Sequence, residues 1–398
     1  MQEHIIPYAR QKVLVDLPDN WKVTNIKCTK KPLTTEDIKK KLTSPIGCSA
    51  LKDIVRPNDT VAIIIEDHTR CTPISEIISF LIEELNSSGI KDEDIVIVGA
   101  TAAHRKMKQS DFNNKLGPDI TRRIRVESHD PFGEVEYFGT TSRGTPVWIN
   151  KTVAEAKIKI GIGGIAPHGS VGFSGGAKLI LPGVAGFTTI SYNHTQIDQS
   201  VSIGTGLDRP MRLDMEEAAN LVGLNFIVAG LIDMDLRLVD LVAGDPFKAH
   251  RAGAQRAKDL YEVKIENEAD LVIACSYPLD LDFFQSGKGL FPAASFVKEG
   301  GVILWICGCQ EGLGCHYLVQ QDRVYKQGLL SAFESVCSKA TVIFVSDNLE
   351  YEEIKEYLPD KIIFEKRLEK GLCKAIHMLP DTATATILYS SPYTIGVK

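Results

Sequence analysis

The chain reads as an α/β protein of two doubly wound domains, with mainly parallel sheets and an active-site cleft between the domains. Three observations predict this. Nearly continuous apolar runs at residues 61–66, 94–100 and 158–165 suit strands of a sheet covered on both faces. Helical periodicity separates the first two, so residues 61–100 form one βαβ unit. A charged stretch at residues 262–270 then precedes a second alternating series of strands and helices. The division expected is residues 1–265 as an N-terminal domain and 266–398 as a C-terminal Rossmann-like α/β domain.

Each element has its own signal. After the first strand, Thr72 suits a helix N-cap and Pro73 the first helical position. Ile74, Ile77, Ile78, Leu81 and Leu85 keep helical spacing until Gly89 stops it. Residues 143–150 alternate as strand or hairpin. Residues 211–222 read as helix, 226–232 as strand, and 246–261 as a helix capped near Asp245. In the second series, strands are expected at 271–275, 301–308, 341–346, 361–364 and 384–389, with helices at 352–358 and 368–379.

Composition narrows the class of function. At 398 residues, two domains and a large core are the expectation. With 44% hydrophobic and 24% charged residues, the balance is that of an ordinary soluble globular protein. The net charge of -6 is spread along the chain, which argues against nucleic acid or an anionic membrane as partner. No basic segment leads into an apolar one at the start, and no run of about 18 apolar residues occurs, so neither signal peptide nor membrane span is expected. Nine scattered cysteines fit reduced thiols in a cytoplasm.

The three strands end in polar loops: Asp67-His68-Thr69-Arg70, then Thr101-Ala102-Ala103-His104-Arg105, then Pro167-His168 and the glycine-rich residues 172–178. Parallel strands end on one sheet edge, where ligands bind, so these loops converge. His104 and His168 are candidates for acid/base work. Arg70 suits bidentate recognition of a carboxylate or phosphate. The glycines here and those at residues 161–164 let backbone approach a ligand closely. Lys178 is no P-loop lysine, because Leu179 stands where a Ser or Thr would bind magnesium. The dinucleotide fingerprint fails for want of its third glycine. His194 fits either a metal ligand or a helix-capping neighbour, and the residues alone favour the second. Gln285 and Lys288 share a face if their segment is helical, although a solvated pair is the blander reading. Cys307, Cys309, Cys315 and His316 lack the CxxC spacing of a zinc knuckle.

Taken in order, these motifs resemble the nickel-pincer-nucleotide lactate racemase family of 2-hydroxyacid racemases and epimerases. The resemblance runs through Asp67-His68-Thr69-Arg70, His104, Pro167-His168, residues 172–178 with Leu181-Pro182-Gly183, and Asn193-His194. It continues through Gln285, Lys288 and Glu311-Gly312-Leu313-Gly314. It implies a nickel-pincer nucleotide, a pyridinium mononucleotide whose two sulfur-bearing arms grip nickel, tethered as a thioamide to Lys178. It further implies His194 as protein ligand to the metal, and Asp67, His68, Thr69 and Arg70 as contacts to the cofactor. Arg70, Gln285 and Lys288 would hold the substrate, with His104 and His168 as the acid/base pair. Hydride removal to the pyridinium ring would avoid the poorly acidic Cα–H of a 2-hydroxyacid, and enzymes that build the cofactor are implied as partners. Cys71 stands where the family often has proline, Phe284 offers no hydroxyl, and Gly287 is permissive for a helix. These departures leave the cofactor expectation intact and the identity of the 2-hydroxyacid open.

Two rival readings keep the fold. One places a simple divalent metal at His104, His168 and His194 for Lewis-acid isomerisation or hydrolysis. The other is a protein that closes on an anionic ligand without chemistry.

Overall fold

The structure, a computed structural model, describes residues 1–9, 11–197 and 203–398. Two compact units emerge: Lys30–Asp259, and a second built from Met1–Thr29 together with Leu260–Lys398. The linear division expected at 265/266 therefore differs from the observed one. The first 29 residues pack with the C-terminal part because Lys22–Ile26 adds a parallel edge strand beside Thr384–Leu388.

The unit Lys30–Asp259 is organised by a six-stranded sheet. Its spatial order is Leu238–Gly244, Phe226–Ile232, Ile158–Gly164, Val61–Glu66, Ile95–Ala100, Arg125–Ser128. Neighbours are parallel except for the first two, which form an antiparallel pair. Ile63, Ile65, Ile160 and Ile162 are fully buried and share a core with Ile77, Ile78, Leu81 and Leu85 of the helix Ser75–Ser87. From Val61–Glu66 the chain adds strands on one side, then returns to lay Ile158–Gly164 on the other. That reversal is a topological switch point, where the loops leaving two adjacent strand ends open a crevice.

Local differences from expectation have local causes. The helix starts at Ser75 rather than Pro73, because the Thr72 amide donates to Glu66 Oε1 at 3.1 Å and Ile74 N–H donates to the Thr72 carbonyl. Those bonds make a turn first. The second strand begins at Ile95, after a short 3-10 turn at Asp92–Asp94. The alternating region is a hairpin of Val135–Thr140 with Pro146–Asn150. Asp245 caps the helix Lys248–Tyr261, its Oδ1 accepting from Lys248 N at 2.8 Å.

The other unit holds a fully parallel sheet ordered Ile363–Glu365, Thr341–Val345, Val297–Ile306, Ala269–Cys275, Thr384–Leu388, Lys22–Ile26. Trp305 anchors its core against Phe344, ring centres 4.2 Å apart, and donates its indole N–H to Ser276 Oγ at 2.8 Å. The helix Phe283–Ala293 is capped by Asp282, which accepts from Gln285 N at 2.9 Å. Gly289 is required there, since a Cβ would meet Ser276 Oγ at 2.2 Å. Among the described residues no helix is long and apolar enough to cross a membrane.

Candidate active site

The two strands at the switch point are tied together by one carboxylate. Glu66, buried at the end of its strand, accepts from Gly164 N at 2.7 Å, Thr72 N at 3.1 Å and Lys115 Nζ at 2.8 Å. Lys115 also donates to the Arg70 carbonyl at 2.6 Å, which pins the loop that follows. The glycines expected to admit a ligand at residues 161–164 instead admit protein: a Cβ on Gly164 would lie 2.3 Å from Thr72 Oγ1. Glu66 and Lys115 were not singled out from sequence, because a Glu ending an apolar run carries no signal of its distant partners.

In the first loop, Asp67 is the organiser. Its Oδ1 accepts from Thr69 N at 3.0 Å and Thr69 Oγ1 at 2.6 Å, and Arg70 donates to Thr69 Oγ1 at 2.7 Å. Its Oδ2 lies 2.5 Å from His104 Nδ1. His104 reaches it from the turn after Ile95–Ala100, a turn joined to the third loop by Ala102 N–H donating to the Gly183 carbonyl at 2.9 Å. Burial alone would raise the Asp67 carboxyl, but His104, and then Arg70 and His68, hold it well below the usual carboxylate range. With its Nδ1–H given to a carboxylate, His104 carries its lone pair on Nε2, the arrangement of an oriented general base.

His168 has the opposite tautomer. Its Nδ1 accepts the Ser170 N–H at 3.2 Å, which assigns the ring proton to Nε2. That Nε2 lies 3.1 Å from Lys178 Nζ. Desolvation, reinforced by the charges of Arg70 and Arg212, pulls the Lys178 ammonium well below its ordinary value. Sequence reasoning missed Arg212 and His250, the buried pair beneath this loop. Arg212 donates to the carbonyls of Phe173 at 3.5 Å and Gly175 at 3.3 Å and to His250 Nδ1 at 2.9 Å, while His250 Nε2 donates to the Ser174 carbonyl at 2.8 Å. Three consecutive carbonyls of the glycine loop are thus held from below. Gly176, at φ +61°, leaves room for the His250 ring, which a Cβ would meet at 2.8 Å. Glu216 balances Arg212 at 3.0 Å and also accepts from Arg251.

His194 ends the helix Phe187–His194 and donates Nδ1–H to the Ile190 carbonyl at 2.8 Å, so Nε2 is the nitrogen with the lone pair. The preceding Asn193 is anchored by the fully buried Asp214, which accepts from Asn193 Nδ2 at 2.6 Å, Gln196 Nε2 at 3.1 Å, Thr141 Oγ1 at 2.5 Å and Thr145 Oγ1 at 2.7 Å. Asp67, Thr69, Arg70 and His104 are joined in one network and His168 with Lys178 in another, while the charges of Arg70 and His68 reach both or one of them. His104, His168 and His194 do not gather as a three-ligand group; among the described residues no cluster of three or more His, Cys, Asp or Glu is arranged to hold a metal. Gln285 and Lys288 belong to the other unit, where both lie on the helix Phe283–Ala293 and Lys288 Nζ donates to the buried Gln285 Oε1.

Comparison with known proteins points to one family. Residues 8–206 match the model of the lactate racemase N-terminal domain, and residues 264–327 that of the lactate racemase C-terminal domain. The lactate racemase of Thermoanaerobacterium thermosaccharolyticum is 33% identical over 322 residues, covering 78% of this chain and 75% of that protein. That of Lactiplantibacillus plantarum is 34% identical over 287 residues, covering 70% and 67%. The solved lactate racemase apoprotein from T. thermosaccharolyticum superposes with a TM-score of 0.81 over the whole of both chains at 27% identity. A crystal structure of a Thermotoga maritima protein, at 18% identity and TM-score 0.70 over 94% of this chain and 99% of that one, shares the fold. The chain belongs to the lactate racemase family and is an isomerase of the racemase class.

Proposed function

We propose that this racemase inverts the carbinol carbon of a 2-hydroxyacid with a nickel-pincer nucleotide attached at Lys178, and that it is loaded in the cytoplasm by the enzymes that build that cofactor. The observation that carries the reading is the opposite proton placement on two histidines that follow neighbouring parts of one sheet. His104 presents a lone pair at Nε2 and His168 a proton at Nε2. A reaction that must run in both directions at one carbon needs an acceptor and a donor of the hydroxyl proton.

The residues present fit the cofactor. Lys178 is a desolvated amine in the 3-10 turn Gly176–Leu179, directly after the clamped carbonyls, and is suited to covalent attachment. His194 holds its proton on the helix side, which leaves Nε2 as a nitrogen ligand for nickel. The relative of known structure is described as an apoprotein, a word that implies a separable prosthetic group. Once bound, the pyridinium nucleotide supplies an electron sink for the hydrogen of the substrate carbon. The chain's own residues do the rest. Arg70, Gln285 and Lys288 bind the substrate carboxylate and hydroxyl, each charged hydrogen bond contributing about 1.5–3 kcal/mol. Asp67, His68 and Thr69 line the cofactor. One histidine accepts the hydroxyl proton of the bound enantiomer and the other gives a proton to the same oxygen as the mirror image forms, so His104 and His168 exchange these roles with the direction of reaction.

The test is mass analysis of the Lys178 peptide with nickel determination, after co-expression with the cofactor-building enzymes and beside a known racemase as loading control. An adduct with nickel is expected, absent in Lys178→Ala. His104→Ala and His168→Ala should each cut racemisation while keeping nickel. An unmodified lysine beside a loaded control overturns the reading.

A further inference from the structure

The amine of Lys178 has an unusual set of neighbours even without any ligand. Among the described residues it forms no ion pair with a carboxylate; its hydrogen-bond partner is His168 Nε2 at 3.1 Å. Two arrangements of protons could join these atoms. An ammonium would donate to a bare Nε2, and the ring proton would then sit on Nδ1, facing the Ser170 N–H at 3.2 Å with no lone pair to receive it. A neutral amine would accept from Nε2–H, and Nδ1 would accept from Ser170. Only the second satisfies both contacts.

The charges around the amine point the same way. Arg70 comes from the loop after the first strand, Arg212 from the helix Pro210–Val222, and His168 from the strand end beside it. His250, from the helix Lys248–Tyr261, is itself held neutral by burial and by Arg212. These neighbours are cationic or neutral and disfavour a further positive charge. They also favour an anion beside the amine.

We infer that Lys178 of the unloaded protein is a site of self-acylation by small acyl phosphates, a modification that competes with cofactor loading, and that His168 positions the amine for it. In this step the Nζ lone pair attacks the acyl carbon and an N–C bond forms. The C–O bond to phosphorus's oxygen breaks, and phosphate leaves with the electron pair and takes the amine proton, so no further reactant is needed. Arg70 is placed to hold the phosphoryl group. His168 acts here as a positioning residue, through the proton it keeps on Nε2. The inference rests on the attachment role proposed for Lys178 only for its consequence, the block to loading.

The experiment uses the full unloaded chain with acetyl phosphate, reading acetylation at each lysine by quantitative peptide mass analysis from pH 6 to 10.5. Lys178 should be acetylated at least about tenfold faster than the typical lysine at pH 7, since each unit of lowered pKa raises the neutral fraction tenfold. Its rate should level off while the others still climb. His168→Phe should move that profile toward the ordinary lysines, and His168→Gln, which keeps a donor, should move it less. The wild-type profile is decisive without either variant: acetylation of Lys178 that tracks the other lysines through pH 10 overturns the inference. Acetylated protein should then refuse the nickel adduct. Selective acetylation in a protein that never gains an adduct beside a loaded control would sink the attachment reading and leave the acylation site standing. Loading without selective acetylation would do the reverse.

Discussion

Asp67 Oδ2 lies 2.5 Å from His104 Nδ1, with 3% and 10% of the two side chains exposed. The pair joins the end of one strand to the turn after its neighbour, and it decides which nitrogen of His104 carries the proton. The Asp67 carboxyl is held below its unfolded value, so its contribution to stability is present above about pH 4 and lost as pH falls through the folded value. Asp67→Asn should lower kcat of loaded protein by roughly 100-fold or more, the scale of general base catalysis. The adduct at Lys178 should persist. Urea unfolding should show the variant less stable at pH 7, with the gap closing in acid; unchanged kcat would remove Asp67 from the orienting role.

Lys178 in unloaded protein carries the opposite sign. Its folded pKa lies well below the ordinary value, so between the two the unfolded chain binds a proton that the folded chain refuses. That destabilises the fold at neutral pH and eases as pH rises toward the unfolded value. Lys178→Met should therefore raise Tm at pH 7, with the gain shrinking by pH 10. A Tm gain that does not depend on pH would contradict the desolvated amine.

The Arg212 network predicts a large stability effect from a residue that takes no part in a proposed proton transfer. Arg212→Met would strip the Phe173 and Gly175 carbonyls and His250 of their donor and leave Glu216 without its partner four residues earlier. Breaking a buried charged pair costs about 3–5 kcal/mol. Chemical denaturation should show a loss of that order, and a loss below about 0.5 kcal/mol, the surface-substitution scale, would show that the loop is held otherwise.

If His194 ligates nickel as proposed, Asp214 should govern how firmly it does so. It binds Asn193 and Gln196 on either side of His194, together with Thr141 and Thr145. Asp214→Leu should weaken nickel retention by about 10- to 100-fold, as loss of an outer support does. Dialysis against a chelator measures it, with His194→Ala as the complete loss. Equal retention in Asp214→Leu and wild type would detach this carboxylate from the metal site.

His129 sets an acid limit. It is fully buried, its Nε2 donates to the Ala185 carbonyl at 2.9 Å, and burial lowers its pKa to about 4. Stability should be complete above about pH 6.5 and fall by about 3 kcal/mol as pH drops toward 4, because only the unfolded imidazole takes the proton there. His129→Gln should flatten that slope whatever its absolute stability.

The elements were legible in sequence where the pattern was local. Val61–Glu66 and Phe226–Ile232 fall where their apolar runs predict, and Asp245 caps its helix as read. Thr72 misled as an N-cap because Glu66, six residues earlier, captures its amide. The glycines at 161–164 looked like ligand contacts and serve packing, since the atoms that crowd them come from Glu66, Thr72 and Leu179. Gln285 and Lys288 read from sequence more readily as a solvated pair, whereas the Asp282 cap and the buried helix face make Gln285 interior.

By itself the sequence determined two α/β halves, three polar loops on one sheet edge, and the residue types those loops carry, because periodicity and strand ends are properties of neighbours in the chain. Tertiary structure alone decided that residues 1–29 join the C-terminal unit and that Arg212 and His250 lie beneath the glycine loop. It also decided that His104 and His168 carry their protons on opposite nitrogens. A tautomer is set by the one atom that each ring nitrogen meets, and for His104 that atom belongs to a residue 37 positions away.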